Sequence, residues 1–306
     1  MDIVAYGEAM VEFNQTGEGG SRSYLQGFGG DTSNFAIAAA RQGARVGCWS
    51  ALGDDAHGRA LRALWDAEGV DHTLVRTDAS AFTGLYFVTH GDRGHEFHFQ
   101  RSGSAASRVG PADVPRAGIA AARVLHLSGI SLAISRSACE AGYAAIGAAR
   151  SAGVQVCFDT NLRLKLWSLD LARAVMGDVL RLADIALPSW DDITAITGLS
   201  DPDAIVDHCL QRGAKVVALK MGAEGALVAS ADERHRIAAY PCTTLDATGA
   251  GDTFGGAFVA RRIAGDGLRD AARYAAVAAA LSTQGYGAVA PIPHAAAVRA
   301  ALKEWP

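Results

Sequence analysis

Apolar residues follow two alternating patterns along most of the chain. Short uninterrupted apolar runs predict buried strands at residues 3–7, 46–52, 124–128, 154–159, 185–188 and 216–221. Apolar residues at helical spacing predict helices at residues 34–42, 57–68, 135–152, 169–183, 191–197, 201–212, 252–264, 268–283 and 294–303. Repeated strand–helix–strand units imply a mostly parallel sheet with helices on both faces. We therefore expect an α/β fold with a doubly wound sheet.

Two stretches, residues 10–28 and 82–101, depart from this pattern. Polar and apolar residues alternate in segments such as Glu96-Phe97-His98-Phe99, and Gly91-Asp92-Arg93-Gly94 suits a hairpin turn. Alternation indicates strands that are covered on one face only. We expect a small β-sheet lid, split in sequence, within one domain that spans residues 1–306. The alternative is that these segments are extra edge strands of the main sheet.

Composition excludes several classes of protein. Half of the 306 residues are hydrophobic and 20% are charged, which is typical of a globular protein and not of a disordered one. The net charge of −4 gives no electrostatic reason to expect nucleic acid or an anionic membrane as a partner. The sequence shows no signal peptide, no apolar span and no CxxC pair among its five cysteines. We therefore expect a cytoplasmic protein with reduced thiols.

The strongest chemical signal is Gly249-Ala250-Gly251, which comes directly before a predicted helix. Consecutive N–H groups with little side-chain obstruction, at the positive end of a helix, suit phosphate oxygens. Asp252 follows in the first helical turn and is the candidate general base. The alternative is that Asp252 only complements the helix dipole.

A second glycine cluster, residues 27–34, also leads into a helix. Asp31 and Asn34 are one helical turn apart, which suits hydrogen bonds to sugar hydroxyls. The alternative is an ordinary capped helix. Other common motifs are absent from the sequence: no Gly-Lys dipeptide permits a P-loop, no GxGxxG follows the first predicted strand, and neither HExxH nor GxSxG occurs.

Together the two clusters resemble the signatures of the ribokinase-like (PfkB) carbohydrate kinases, over nearly the whole chain. Residues 29–58 match the first signature and residues 246–256 match the second. The resemblance implies a doubly wound domain with a β lid, which transfers the γ-phosphate of ATP to a sugar hydroxyl with the help of Mg²⁺. It also implies that Asp252 is the base and that Gly249, Ala250 and Gly251 form the anion hole.

Within that family the chain is most similar to 2-keto-3-deoxygluconate kinases, through residues 7–13, 101–107 and 159–167. Together with the helix argument for Asp31, this resemblance implies substrate contacts by Gly30, Asp31, Asn34, Tyr86, Gln100, Arg101, Arg163 and Asp252. It implies nucleotide contacts by Asn161, Arg163, Ser189, Lys220, Gly222, Gly225, Gly249 and Gly251. It further suggests a monovalent cation near the Asp246 loop and a homo-oligomer that associates through the lid.

The sequence departs from the family pattern in two places. Gln100 stands where these kinases often carry a tyrosine, and Ser189 and Asp192 occupy the positions of an N-x-x-E motif that organises magnesium. Asp192, acting through water, is therefore the candidate metal residue. Fructokinases share much of segment 159–167, so a fructokinase, a ribokinase or a nucleoside kinase stays open. So does a catalytically silent protein that binds a sugar or a nucleotide.

Two arginines favour an acidic sugar independently of the resemblance. Arg101 ends a predicted lid strand, and Arg163 follows a buried strand at the sheet edge where open α/β sheets bind ligands. Two guanidinium groups that converge there suit a planar carboxylate, whereas a neutral sugar needs only one. The alternative for each arginine is a structural ion pair. We therefore expect a sugar acid and ATP as ligands.

Overall fold

The computed structural model describes residues 1–16, 21–91 and 94–305. Its strands are β1 (Ile3–Tyr6), β2 (Met10–Thr16), β3 (Ser23–Gly29), β4 (Val46–Gly53), β5 (Asp71–Asp78), β6 (Leu85–Gly91), β7 (Gly94–Gln100), β8 (Val124–Ser128), β9 (Gln155–Asp159), β10 (Ile185–Leu187), β11 (Val216–Lys220), β12 (Ala226–Ser230) and β13 (Arg234–Ile237). Its helices are α1 (Asp31–Arg41), α2 (Ala56–Glu68), α3 (Arg116–Ala120), α4 (Gly129–Ala133), α5 (Arg136–Ser151), α6 (Leu169–Leu182), α7 (Trp190–Thr197), α8 (Pro202–Arg212), α9 (Ala250–Ala264), α10 (Leu268–Ser282) and α11 (Ala295–Glu304).

The described residues form a nine-stranded sheet with the order β13-β12-β11-β10-β9-β8-β1-β4-β5. In this order, every pairing from β11 along to β5 is parallel, whereas β12 pairs antiparallel with both β11 and β13. This confirms the prediction of a doubly wound, mostly parallel sheet. Because β4 lies on one side of β1 and β8 on the other, the winding reverses at β1. The carboxyl ends of the strands at such a reversal form the usual ligand crevice of this architecture.

Helices cover both faces of the sheet. Ile3 and Ala5 of β1 lie in one apolar cluster with α1, α9 and α10, and Val4 and Tyr6 lie in a second with α5 and α6. All four side chains are buried, as expected for a strand that is covered on both faces. Among the described helices, none combines the length and the apolar character that crossing a membrane requires.

A separate four-stranded sheet forms the predicted lid, in the order β3-β2-β6-β7. Strands β2 and β6 are parallel, and the other two pairings are antiparallel. Its inner face buries Met10, Tyr86 and Val88 against Phe97. The strands lie within the two predicted segments except for the last residue of β3, Gly29. The middle of the predicted hairpin turn, residues 92–93, lies outside the described residues.

Several boundaries differ from the predictions. The strands β5, β12 and β13 were not predicted. Strands β5 and β13 are the edge strands of the large sheet, and half of the residues in each are exposed, which gives a weak apolar signal. Helix α1 begins at Asp31 and not at residue 34, so Asp31 and Asn34 both lie within it. Helix α9 begins at Ala250, two residues earlier than predicted.

Candidate active site

The loop before α9 forms the predicted cradle. Gly249 has a φ of 75°, a left-handed conformation that favours glycine, and it caps the helix that Ala250 begins. The N–H of Ala250 already donates to the Ala247 carbonyl at 3.2 Å. Among the described residues, no protein acceptor contacts the N–H groups of Gly249, Gly251 and Asp252. Of the predicted set, the Gly249 and Gly251 amides are therefore available to an anion and the Ala250 amide is not, whereas the Asp252 amide is an additional donor.

Asp252 lies in the first turn of α9 and faces α1. The Asn34 amide nitrogen donates to its Oδ2 at 2.9 Å. The two helices come this close because Gly256 has no side chain; a Cβ there would collide with the Phe35 carbonyl. Burial, followed by the negative charge of Asp31, raises the pKa of Asp252 to about 8. The carboxylate therefore has an unusually high affinity for a proton.

The side-chain oxygen of Asn34 is an unpaired acceptor. The side chain is only 4% exposed, and its Oδ1 has no hydrogen-bond partner in the described structure. A buried acceptor without a donor destabilises the ligand-free site. A hydroxyl placed beside Asp252 would supply the missing donor.

Asp31 and Asn161 form a second contact across the crevice. The Asn161 amide nitrogen donates to Asp31 Oδ2 at 3.0 Å. Asn161 has a φ of 29°, and it is the one residue other than glycine with a positive φ among those described. Its backbone N–H donates to Asp159 Oδ1 at 3.2 Å. Burial raises the pKa of Asp31 in turn. Asn161, predicted to contact the nucleotide, thus has its side chain directed to the first glycine cluster.

A cavity of about 910 Å³ lies between the end of β11 and the start of α9. Of the predicted nucleotide residues, Ser189, Lys220, Gly222, Gly225 and Gly251 line it, whereas Asn161, Arg163 and Gly249 do not. Sequence reasoning missed its other wall, which includes Tyr240, Cys242, Phe254, Ala279 and Thr283. The alanine-rich stretch of α10 was the available signal, because small residues leave room beside a helix.

Two buried glutamates that sequence reasoning missed hold the lid side of the site. Tyr86 donates its hydroxyl to Glu12 at 2.5 Å. Arg101 donates through Nε to Glu8 at 2.7 Å, and Ser104 donates to the same carboxylate. Glu8 and Glu12 belong to the opening motif at residues 7–13, which was the signal that could have identified them.

The two arginines of the proposed carboxylate clamp are not equivalent. Arg101 is 10% exposed and forms a buried ion pair with Glu8, which is the structural alternative considered for it. Arg163 is exposed, and its Nη1 donates only to the neighbouring Leu162 carbonyl at 2.7 Å. Gln100 is exposed at the end of β7. Of these two arginines, Arg163 is therefore the one that forms no salt bridge with another described residue, although its positive charge acts on the Asp192 carboxylate.

The donors suit a Mg²⁺ ion that arrives with a nucleotide. Within the described residues, no three acidic, histidine or cysteine side chains converge as a metal site would require. Asp192 offers one carboxylate, which accepts the Leu162 amide and whose pKa is raised by burial. Proteins commonly hold Mg²⁺ through one or two carboxylates, phosphate oxygens and water.

Comparison with known proteins identifies sugar kinases that are similar to this chain over nearly its whole length. The 2-dehydro-3-deoxygluconokinase of Thermoproteus tenax is 36% identical, over 92% of this chain and 88% of its own length. Fructokinase-1 of Oryza sativa subsp. japonica is 33% identical, over 95% and 94%. The crystal structure of a PfkB protein from Polaromonas sp. JS666 has a TM-score of 0.90 at 34% identity, over 98% and 99%.

A putative ribokinase II from E. coli, solved in complex with ATP and Mg²⁺, has a TM-score of 0.91 at 27% identity, over 99% of both chains. The model of the pfkB family carbohydrate kinases matches residues 1–295. Fold, cradle and sequence similarity agree: the chain belongs to the pfkB family of carbohydrate kinases.

Proposed function

We propose that the protein transfers the γ-phosphoryl group of ATP to the primary hydroxyl of an acidic keto-sugar, 2-keto-3-deoxygluconate (also called 2-dehydro-3-deoxygluconate), and so forms its 6-phosphate. The observation that carries the kinase reaction is the Asp252 carboxylate, held by Asn34 beside the amides of the cradle. The choice of sugar rests on the similarity to the kinase of Thermoproteus tenax.

The proposed chemistry is an in-line displacement. The sugar oxygen forms a bond to the γ-phosphorus while the bond from that phosphorus to the bridging oxygen of ADP breaks. Asp252 takes the proton from the attacking hydroxyl, and Asn34 Oδ1 accepts a hydrogen bond from the sugar. The amides of Gly249, Gly251 and Asp252 stabilise negative charge on the transferred group. Asp192 would hold, through water, a Mg²⁺ ion that is bound with the nucleotide, and this ion would supply positive charge to the phosphates.

The lid completes the proposed site. It carries Tyr86 on its buried face and Arg101 just after β7. Closure of the lid over the sugar would exclude water, which otherwise competes as a nucleophile. We retain association of two copies through the lid as a proposal; in its described part, Leu25 and Phe99 are exposed apolar residues.

A monovalent cation near the Asp246 loop is also part of the proposal. The Asp246 side chain ties two loops together, because it accepts hydrogen bonds from Thr248 and from the Gly287 N–H. A fructokinase of Vibrio cholerae O395, 27% identical, has been solved with fructose, ADP and potassium bound. Replacing K⁺ by a bulky organic cation should lower kcat; unchanged turnover would remove the cation from the proposal.

A fructokinase is the second candidate, and one observation favours it. Glu8 already neutralises Arg101, so only Arg163 offers an uncommitted guanidinium to a substrate carboxylate. A neutral sugar needs no second guanidinium group.

A comparison of 2-keto-3-deoxygluconate with fructose, in the parent and in Arg163→Ala, distinguishes the two. Closure of the lid would remove water from Arg163, and loss of a charged hydrogen-bond partner at such a site costs about 2–5 kcal/mol. KM for the acid should therefore rise at least about thirtyfold and KM for fructose little. A parent that prefers fructose, or equal losses for both sugars, would contradict the acid substrate and leave the kinase assignment standing. A protein that consumes no ATP with any sugar would be the silent binding protein.

A further inference from the structure

We propose that Asp159 holds Lys220 as its counter-ion in the ligand-free site and releases it to the terminal phosphate of the nucleotide. Asp159 would then be a positioning residue that sets nucleotide affinity, and Lys220 a catalytic residue on the transferred phosphoryl group. This inference rests on the proposed kinase function and extends it to a pair of residues that the mechanism above does not use.

The pair is short and protected from solvent. Lys220 Nζ lies 2.5 Å from Asp159 Oδ2, and the two side chains are 11% and 5% exposed. They end β11 and β9, which flank β10 in the sheet, so both lie at the carboxyl edge of the strands. The other oxygen of Asp159, Oδ1, accepts a hydrogen bond from the backbone N–H of Asn161, which fixes the carboxylate in place. The ammonium at the end of the flexible lysine is the partner that can move.

Lys220 also lies beside the cradle. Its Nζ is 3.5 Å from the point that a Cβ on Gly251 would occupy. A phosphate oxygen bound to the Gly251 amide would therefore lie close to this ammonium. Gly251 keeps the space between them open, since any larger residue would fill it.

The charges of the cavity favour such a transfer. Among its lining residues Lys220 is the one lysine or arginine, whereas Asp191 and Glu224 add negative charge. The several negative charges of a triphosphate must then be met by Lys220, the amides and the bound Mg²⁺. Asp159 competes for the same ammonium, so it lowers the affinity of the ligand-free site for nucleotide. Without Asp159, the ammonium would lose its ion-pair partner, keep the weaker attraction of Asp252 and Asp192, and attract phosphate more strongly.

Strands β11 and β10 provide a control pair at the opposite edge of the sheet. Lys215 and Asp184 form an ion pair of 2.8 Å just before β11 and β10, and Asp184 also accepts a backbone amide, that of Val156. This pair has the same charged groups and lies at the other end of the strands, although its lysine is 73% exposed, against 11% for Lys220. Asp184→Asn therefore reports what loss of such a pair does to the fold alone.

The experiment is calorimetric titration of AMP-PNP with Mg²⁺, without sugar, into the parent, Asp159→Asn, Lys220→Met, the double variant and Asp184→Asn. We expect Asp159→Asn to bind about tenfold more tightly than the parent, and Lys220→Met about tenfold more weakly. In the Lys220→Met background, Asp159→Asn should have no effect, and Asp184→Asn should match the parent. Equal or weaker binding by Asp159→Asn, or tighter binding that persists without Lys220, overturns the proposal.

A second measurement covers failure of Asp159→Asn to fold, which thermal unfolding without ligand would reveal. Lys220→Met should reduce the preference for AMP-PNP over AMP about tenfold, because only AMP-PNP brings a terminal phosphate to the cradle. An unchanged preference overturns the proposal. If the parent binds no nucleotide, the proposed kinase function fails as well; if it binds nucleotide and the variants do not differ, only the role of this ion pair fails.

Discussion

Replacement of Asp252 by asparagine should remove activity and stabilise the ligand-free protein at the same time. Asparagine has nearly the same shape and still accepts the hydrogen bond from Asn34, but it cannot take a proton from the sugar. Loss of a general base typically lowers kcat by about 10²–10⁴. The gain in stability has a separate cause, which is the cost of ionising a buried carboxylate next to Asp31.

The size and the pH dependence of this gain follow from the raised pKa. The carboxyl of Asp252 changes from its ordinary value of 3.8 to about 8 on folding, so ionisation is disfavoured in the native state. A raised pKa adds no destabilisation below about pH 4, and the cost grows as the pH rises toward 8. At pH 7 the cost is at most about 4 kcal/mol, from about 1.4 kcal/mol for each of roughly three units. Asp252→Asn does not incur this cost, because asparagine does not ionise.

Urea unfolding of the parent and of Asp252→Asn at pH 5, 6, 7 and 8 measures the effect. The difference in unfolding free energy should favour the variant and widen with pH. Asp270→Asn is the control, because Asp270 is an exposed carboxylate in the first turn of α10 and so tests a helix-dipole role by itself. A difference that does not change between pH 5 and pH 8, or a variant with kcat within a few-fold of the parent, would refute the reasoning.

Three further results are expected. Amide hydrogen exchange in β6 and β7 should slow when sugar binds if the lid closes; unchanged exchange at saturation would leave an ordinary sheet. Iodoacetamide should label Cys242 first, because it is the exposed cysteine, and ATP should slow that labelling because Cys242 lines the cavity; labelling at the same rate with ATP would move the nucleotide elsewhere. Arg101→Met should lower the unfolding free energy by about 3–5 kcal/mol, since it leaves Glu8 buried without a counter-ion; a loss below 1 kcal/mol in denaturant titrations would contradict a buried pair.

Features encoded by neighbouring residues could be predicted from the sequence. Gly69 ends α2 with a φ of 67°, and Gly249 precedes α9 with a φ of 75°, because few other residues adopt that conformation without strain. The central strands are apolar throughout because both of their faces are covered. Edge strand β5 escaped prediction because half of its residues are exposed and only Val75 is buried.

Contacts between distant segments could not be predicted in this way. Arg101 and Glu8 are 93 positions apart, and nothing local to Arg101 shows that a buried carboxylate will occupy it. The hydrogen bond between Asn34 and Asp252 spans 218 positions and depends on how closely α1 and α9 approach. The motifs could predict that both residues contact the substrate. Predicting that they touch required the packing of two helices through glycine.

The carboxylates at the crevice share one physical logic. An ordinary aspartate has a pKa near 4 and little affinity for the proton of an alcohol, so a base made from it gains by burial and by negative neighbours. Asp31 and Asp159 provide those neighbours for Asp252, and the same charges make the ligand-free site unfavourable for folding. Asn34 and Lys220 oppose the effect, which keeps the ionised base accessible. Both residues act on this base, and in the ligand-free site Asn34 has an unfilled acceptor while the ammonium of Lys220 is paired with Asp159. The strain of the ligand-free site is thus concentrated where a sugar hydroxyl and a phosphate would relieve it.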